Sequence, residues 1–201
     1  ITTKRAATSG AGTFSVNIAT GASHYNQGNF MLMNSQQMWD YYQSFINPNS
    51  IPAGITQDVL KTNYDWLANG TQAGAFRDIS GSYVGRTDKT SFYISGNYYK
   101  EEGSVKGYVY DRMSARMNLD HKLTERLSFK PKLNASYTAT DSRQHSLYDM
   151  YLNMPWDAPF NAEGKILNPQ AGGITWYGRD NRNYRYDQQF NYGKGGTFDI
   201  Q

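Results

Sequence analysis

Residues Tyr108–Thr140, YVYDRMSARMNLDHKLTERLSFKPKLNASYTAT, contain two long segments of alternating polarity on either side of one turn. The apolar positions are Val109, Met113, Ala115, Met117 and Leu119 in the first segment and Leu127, Phe129, Leu133, Ala135, Tyr137 and Ala139 in the second. Because successive side chains of a strand point to opposite faces, this pattern predicts a hairpin with one apolar and one polar face. Strands of soluble domains mostly stop near about 5–6 residues, whereas these run for roughly ten or more. Two-faced strands of about 9–11 residues favour a membrane-spanning barrel.

The numbering of the apolar positions also predicts the register of this hairpin. They are odd-numbered in both strands, so residues that face each other must sum to an even number if the apolar faces are to match. A three-residue turn at Thr124–Arg126 satisfies this condition. The pairs that it predicts are Met117 with Leu133, Ala115 with Ala135, and Asp120 with Lys130. Pro131 removes one ladder hydrogen bond and predicts a bulge or an edge.

Alternation elsewhere predicts further strands at about 13–25, 75–85 and 88–101, and a last strand that begins at Tyr184. The connections then run long (about 26–74), short (Arg86-Thr87), medium (about 102–107), short (124–126) and long (about 141–183). Short periplasmic turns that alternate with longer extracellular loops are typical of outer-membrane barrels. The two-residue turn at Arg86-Thr87 would place Phe92 beside Gly81, where the ring can cover the bare backbone.

Two features are expected at the long-loop end. In the first long connection, Asn34 or Ser35 could cap a short helix whose aromatic and apolar residues recur at helical spacing. Tyrosines near the ends of the third and fourth strands predict an interfacial aromatic girdle. These tyrosines are Tyr98, Tyr99, Tyr108 and Tyr110.

Composition narrows the class of protein. The 201 residues carry a formal net charge of +3 and no cysteine, and the mean hydropathy is −0.74. The charge is too mild to indicate nucleic-acid binding, and the lack of cysteine excludes disulfides and thiolate metal sites. No stretch approaches the ~18 apolar residues of a spanning helix, which excludes a helical membrane protein. The first residues, Ile1–Arg5, show no signal-peptide pattern, so we expect a processed or internal sequence.

Few residues suggest catalytic chemistry. His24, His121 and His145 are far apart and have no metal-ligand spacing, so we expect no metal site. Loop acids such as Asp157 and Glu163 could pair as glycosidase carboxylates, but loops of this size routinely carry acids. The chain is therefore expected not to be an enzyme and to need no cofactor.

Several short motifs, in order along residues 1–140, resemble SusC/RagA-like TonB-dependent transporters. The motifs are Ile1–Arg5 (family ITTKRG), Asn63–Trp66 (N-T-D-W), Ile79–Ser82 with Lys89–Tyr93 (S-x-S-G-G and K-T-x-Y-Y), Glu101–Gly103 (Q/E-E-G) and Arg116–Asp120 (R-x-N-L-D). The sequence departs from the family at Ala6-Ala7, where Gly-Lys is usual, and at Ser82, where glycine is usual.

The resemblance implies an all-β, transmembrane antiparallel β-barrel, of which this chain holds about six of 22 strands. Residues 1–8 would be the end of the plug domain and 9–201 the first part of the barrel, with its long extracellular loops. The implied protein imports oligosaccharides, or peptides in some members, across the outer membrane of Bacteroidetes-type bacteria. Its implied partners are TonB, a SusD-like surface lipoprotein that acts as a lid, and outer-membrane lipid. A soluble β-rich carbohydrate-binding module remains the alternative, and the sequence does not name the substrate.

Two groups of residues are candidate sites within this framework. Aromatic and polar side chains of the last loop could stack on sugar rings and bind hydroxyls, or could pack the loop or the lid instead. This loop group is Trp156, Trp176, Tyr177, Arg179 and Asp180. Cations on the polar face of the hairpin in residues 108–140 could hold the plug by charge pairing and hydrogen bonds, or could be solvated in the lumen. These lumen cations are Arg112, Arg116, Lys130 and Lys132.

Overall fold

One antiparallel sheet organises the chain, as seen in a computed structural model that describes residues 10–45, 55–143, 147–168, 183–190 and 192–201. The strands are β1 Gly10–His24, β2 Ala73–Arg86, β3 Thr90–Glu102, β4 Val109–Lys122, β5 Ser128–Phe129, β6 Lys132–Arg143 and β7 Tyr192–Ile200. They follow the order β1-β2-β3-β4-β6-β7, with β5 paired to β4. The helices are α1 Ser35–Phe45, a 3₁₀ helix Gln57–Lys61, α2 Trp66–Gly70, α3 Leu147–Leu152 and α4 Tyr184–Phe190. No helix in this described part is long and apolar enough to cross a membrane.

The sheet has one apolar and one polar face, and both are continuous across the strands. Three apolar rows, read from β1 towards β7, are Ile18–Ile79–Tyr98–Met113–Tyr137–Phe198, Val16–Gly81–Gly96–Ala115–Ala135–Ile200 and Phe14–Tyr83–Ile94–Met117–Leu133. Two polar rows are Asn17–Ser80–Asn97–Ser114–Ser136–Asp199 and Ser15–Ser82–Ser95–Arg116–Asn134. Phe14 is 69% exposed and Phe198 is 63% exposed, so no described residue covers the apolar face there. The predicted all-β architecture is confirmed, and the sheet is open, as part of a barrel is.

The register predicted for the hairpin in residues 108–140 is confirmed. β4 and β6 pair Met117 with Leu133 and Ala115 with Ala135. The three-residue turn is closed by Leu123, whose amide donates to Leu127 O at 2.9 Å. Other contacts match as well. Lys130 Nζ lies 3.5 Å from Asp120 Oδ2, and Pro131 interrupts the strand between β5 and β6.

The turn between β2 and β3 differs from the prediction. It lies at Asp88-Lys89, with the Thr87 amide donating to Thr90 O at 2.7 Å, and not at Arg86-Thr87. β2 therefore runs to Arg86 and β3 begins at Thr90, and Phe92 faces Gly85 rather than Gly81. A Cβ added at Gly85 would lie 2.5 Å from the Phe92 ring, so the ring covers this glycine instead. The faces still match because the register shift is an even number of residues.

The last predicted strand is wrong at its start. Tyr184–Phe190 is the helix α4, and the strand β7 begins at Tyr192. Tyr184 and Asp187 are both buried and are spaced as on one face of a helix. Tyr186 and Phe190 are one helical turn apart, and their ring centroids lie 4.6 Å from each other. Residues four apart share a face in both a helix and a strand, so short alternating runs are ambiguous. The glycines of β7 remain in the strand because β6 supplies its ladder partners.

The predicted helix in the first long connection is confirmed as α1, and Asn34 caps it. Asn34 Oδ1 accepts from the Gln37 amide at 2.8 Å, and Gln37 Oε1 accepts from the Asn34 amide at 3.0 Å. This reciprocal pair is a capping box. Ser35 has another role: its hydroxyl donates to Thr62 O and its amide to Asn63 Oδ1. These bonds tie the start of α1 to the segment that precedes α2.

We expect Leu133→Arg to reduce insertion of the full-length barrel far more than Ser136→Arg on the same strand. Leu133 lies on the apolar face, which is expected to meet lipid, whereas Ser136 faces Asp199 on the polar face. A lipid-facing arginine costs about 2–4 kcal/mol at the bilayer midplane. Folded protein in the outer membrane, measured by heat-modifiable gel mobility, checks this. Equal losses for the two variants would contradict the assignment of the faces.

Candidate functional site

The connections at one end of the sheet pack around a buried aromatic cluster. Its buried members are Trp66, Leu67, Met150 and Tyr184. The Trp66 ring meets the Tyr64 ring edge-on, with centroids 5.0 Å apart, and the Tyr184 ring at 5.6 Å. α2, in the first long connection, therefore shares one core with α3 and α4, in the last. We call this unit the loop body: residues 25–45, 55–72, 103–108, 147–168 and 183–190.

Hydrogen bonds from the residues around the start of α2 join the two long connections. Asp65 Oδ1 caps α2 by accepting a backbone amide of its first turn at 2.8 Å. Trp66 Nε1 donates to Met154 O at 3.1 Å, and the Tyr64 amide donates to Pro155 O at 2.6 Å. Buried polar groups need such partners, and these hydrogen bonds hold the last loop against the start of α2.

Asn183 is a second structural anchor of the loop body. It is fully buried, and its Nδ2 donates to Pro159 O at 3.0 Å and to Leu167 O at 2.8 Å. Its Oδ1 accepts from the Arg185 amide at 3.1 Å, which satisfies a free donor at the start of α4. One side chain therefore fixes α4 against the chain that follows α3.

The medium-length connection joins the same body through a lysine. Lys106 Nζ donates to Asn69 O at 2.7 Å. Burial, and secondarily the charge of Arg185, lowers the pKa of Lys106. A lowered lysine pKa means that folding disfavours the charged form, so this group makes the folded state more stable as the pH rises from the lowered pKa to the usual lysine pKa. Burial likewise raises the pKa of Tyr184, helped by its hydrogen bond to Tyr64, and the phenol stays neutral.

A cavity of about 440 Å³ opens between the two long connections. Its apolar lining comes from Met31, Leu32, Met33, Met38, Tyr151, Leu152 and Met154, and its amides from Gln27, Asn34, Asn63 and Asn153. Thioethers adapt to irregular apolar shapes, and amides can donate and accept hydrogen bonds. The cavity can therefore hold an apolar group that carries a polar edge. The described residues contain no group of three or more side chains suited to a metal ion.

The polar face of the sheet forms a second concave surface. A depression of about 320 Å³ is lined by serine and asparagine side chains of β1–β4, with Arg116 at its side. Nearer the loops, Tyr99 contacts Phe76 and Tyr110, and Arg112 lies over its ring at 5.7 Å. This face combines hydroxyl, amide, guanidinium and aromatic groups, which suits binding of polar solutes.

Comparisons with known proteins agree with this architecture. The chain is 27% identical over 134 residues to TonB-dependent receptor P3 of Formosa agariphila and 22% identical over 117 residues to TonB-dependent receptor P39 of the same organism. The matches span 67% and 56% of this chain but only 12% and 11% of those proteins. The solved structure of the RagAB peptide importer in the closed-closed state superposes with a TM-score of 0.58 at 19% identity, over 84% of this chain and 23% of that one. No family model matches the chain.

The sequence similarity to TonB-dependent receptors and the fold similarity to RagAB support the resemblance to SusC/RagA-like TonB-dependent transporters that the motifs predicted. The motifs that carry this resemblance have structural roles in the described part of the chain. Asn63–Trp66 anchors the loop body, and Arg116–Asp120 lies within β4, where it ends in the ion pair to Lys130. The residues that resemble the plug end, 1–9, lie outside the described residues.

The loop group predicted to bind substrate is only partly described. Trp156 is 6% exposed, and its ring meets the Tyr42 ring at an angle of 64° with centroids 5.8 Å apart. This contact fits the alternative given in the sequence analysis, in which the group packs the loop rather than binding a sugar. Trp176, Tyr177, Arg179 and Asp180 lie outside the described residues. A ligand role for this group stays a prediction.

The four predicted lumen cations do not form one cluster. Arg112 and Arg116 lie on the polar face of β4, facing Thr138 and Asn134. Lys132 faces Asn118, and Lys130 pairs with Asp120 near the turn. Arg112 is thus at the loop end, and the two lysines are at the turn end. Contact with a plug stays a prediction for all four.

Sequence reasoning missed the aromatic group on the polar face. It placed Tyr99 and Tyr110 in a lipid-facing girdle, but both lie on the polar face, and of the four tyrosines only Tyr98 joins an apolar row. The signal was present in the parity of the numbering, since Tyr99 follows Tyr93 and Asn97 on one face. The contact with Phe76 could not be seen, because it depends on the register of β2 against β3.

We expect Asn183→Ala to loosen the loop body without unfolding the sheet. The variant leaves the partly buried carbonyl of Leu167 without its side-chain donor and removes one of the two donors to Pro159 O, which also accepts from the Leu167 amide at 2.9 Å. Loss of such bonds costs about 1–3 kcal/mol. Amide hydrogen exchange in 157–168 and 184–190 should therefore accelerate, while exchange in β3 and β4 stays unchanged. Gln189→Ala, an exposed position of the same helix, is the matched control. Unchanged exchange in α4 would show that Asn183 is not an anchor.

Proposed function

We propose that the full-length protein imports oligosaccharides or peptides across the bacterial outer membrane, with energy from TonB. The observation that carries the proposal is a sheet with one continuous apolar face and one continuous polar face. The described parts of its longer connections pack into one body at one end. The apolar rows suit lipid, the polar rows suit a water-filled lumen, and the loop body suits capture of solute from outside. The named relatives are TonB-dependent receptors, and the structural neighbour is an importer. The chain covers a small part of each, so the activity of the whole protein is proposed.

A SusD-like surface lipoprotein is the partner that we propose for the loop body. Large apolar side chains that line the methionine-lined cavity remain exposed there, including Met31 at 82% and Met33 at 43%. Scattered apolar exposure is common, but clustered exposure around a cavity marks interaction sites. A lid that closes on this end would cover these side chains and the cavity together.

The soluble carbohydrate-binding module is the alternative class, and the apolar face argues against it. In a β-sandwich the apolar rows would be buried against a second sheet about 10 Å away. In the described part of this chain, all the strands belong to one sheet, and Phe14, Ile18 and Phe198 are each more than 60% exposed. Exposed apolar rows along strands of 12–15 residues, as in β1–β4 and β6, suit a bilayer.

We expect the full-length protein to fractionate with outer membranes and to need detergent for extraction, since its apolar rows meet lipid. Deletion of its gene should abolish growth on at least one polysaccharide or peptide source while growth on monosaccharides is retained. Deletion of tonB should reproduce the same loss. Recovery in the soluble fraction, or growth of the deletion strain that matches wild type on every source, would refute the proposal.

A further inference from the structure

Three aromatic side chains of the polar face form what we call the aromatic shelf: Phe76, Tyr99 and Tyr110. The rings of Phe76 and Tyr99 are near parallel, with centroids 6.3 Å apart, and Tyr110 meets Tyr99 at 6.0 Å and 66°. Gly21 makes room for the shelf, because a Cβ there would lie 2.3 Å from the Phe76 ring. The shelf is separate from the buried cluster of the loop body and faces the lumen side of the sheet.

Charged groups of both signs surround the shelf. The register places Asp78, Tyr99 and Arg112 side by side on adjacent strands. Since strands are about 4.8 Å apart, the Cα atoms of Asp78 and Arg112 lie roughly 10 Å apart, one on each side of Tyr99. Tyr99 OH donates to Glu101 Oε2 at 2.7 Å. The shelf is therefore an apolar surface bordered by the acceptors of Asp78 and Glu101 and by the donors of Arg112.

Arg112 is positioned by its stacking on Tyr99. Its guanidinium carbon lies 5.7 Å from the ring centroid, and its side chain is exposed. Within the described part of the chain it has no ion pair or hydrogen bond through its side chain. A cation–π contact orients a guanidinium while its N–H donors stay free. The donors of Arg112 are thus aimed into the lumen without a partner from the described residues.

The position of the shelf favours a solute over the preceding segment as its occupant. Residues 1–9 join the sheet at Gly10, which pairs with Arg86 at the turn end. Gly21, beside the shelf, lies eleven residues further along β1, or about 36 Å. The shelf is therefore next to the loop body, where solute would enter, and far from the point at which the predicted plug connects.

We propose that the aromatic shelf with Arg112 and Asp78 is a lumenal binding site for a neutral oligosaccharide, a proposal that rests on the import function above. Sugar hydroxyls both donate and accept hydrogen bonds, so they match a site that offers a guanidinium and carboxylates together. The carbon–hydrogen faces of a sugar ring pack on aromatic side chains. An acidic chain would meet Asp78 and Glu101, and a basic one would meet Arg112, so charges of both signs select against either.

The test uses the full-length transporter, expressed with its lipoprotein partner in a gene-deletion strain. The variants are Arg112→Ala, Arg112→Lys and Tyr110→Ala, and the matched control is Arg126→Ala, an exposed arginine in the turn between β4 and β5. Saturable uptake is measured for each labelled glycan or peptide on which the deletion strain fails to grow. We expect Arg112→Ala to raise the half-saturating concentration about tenfold for a neutral glycan, as loss of one or two hydrogen bonds does. Tyr110→Ala should also raise it, Arg112→Lys should fall between Arg112→Ala and wild type, and Arg126→Ala should match wild type.

Three results would overturn the proposal, given equal amounts of each variant in the outer membrane. Unchanged uptake by Arg112→Ala and Tyr110→Ala would rule out the site while leaving the import function intact. A deletion strain that fails only on peptides or on acidic polymers would show that the ligand class is wrong. A deletion strain that grows normally on every source would overturn the import function and the shelf proposal with it.

Discussion

Alignment of apolar with apolar residues across every strand pair is the constraint on which the other features of this protein depend. Backbone hydrogen bonds form equally well in several registers, so the side chains select one. A slip by one residue between β4 and β6 would move Met117 from Leu133 to a polar neighbour, and every other pair would change with it. The continuous apolar face, the continuous polar face and the direction of each turn all follow from this register.

The register also determines which loops lie close enough together to form a second hydrophobic core, that of the loop body. Odd-numbered connections are long or medium and even-numbered ones are short, so all the larger loops emerge at one end. Residues far apart in sequence can then meet there, as the hydroxyls of Tyr64 and Tyr184 do across 120 positions. The buried aromatic residues of the loop body serve mainly to hold it together, and Trp156 packs in the same way.

The groups suited to solute are therefore divided between two places. The loop body contributes a methionine-lined cavity with amide groups on its rim. The polar face contributes hydroxyls, the aromatic shelf and the stacked Arg112. Both surfaces have chemistry that suits polar solutes, which the proposed import would require at the mouth and along the lumen.

The sequence by itself determined the two faces of the sheet, the β4–β6 register with its Asp120–Lys130 pair, and the short helix in the first long connection, with Asn34 or Ser35 as its cap. Each of these rests on local periodicity, turn length or capping, which a single chain segment specifies. Only the tertiary structure decided that Phe92 covers Gly85, that Tyr184–Phe190 is helical, and that Tyr99 joins Phe76 and Arg112 in one group. Those outcomes depend on contacts between strands and between distant loops, and such contacts exist only once the register of the whole sheet is set.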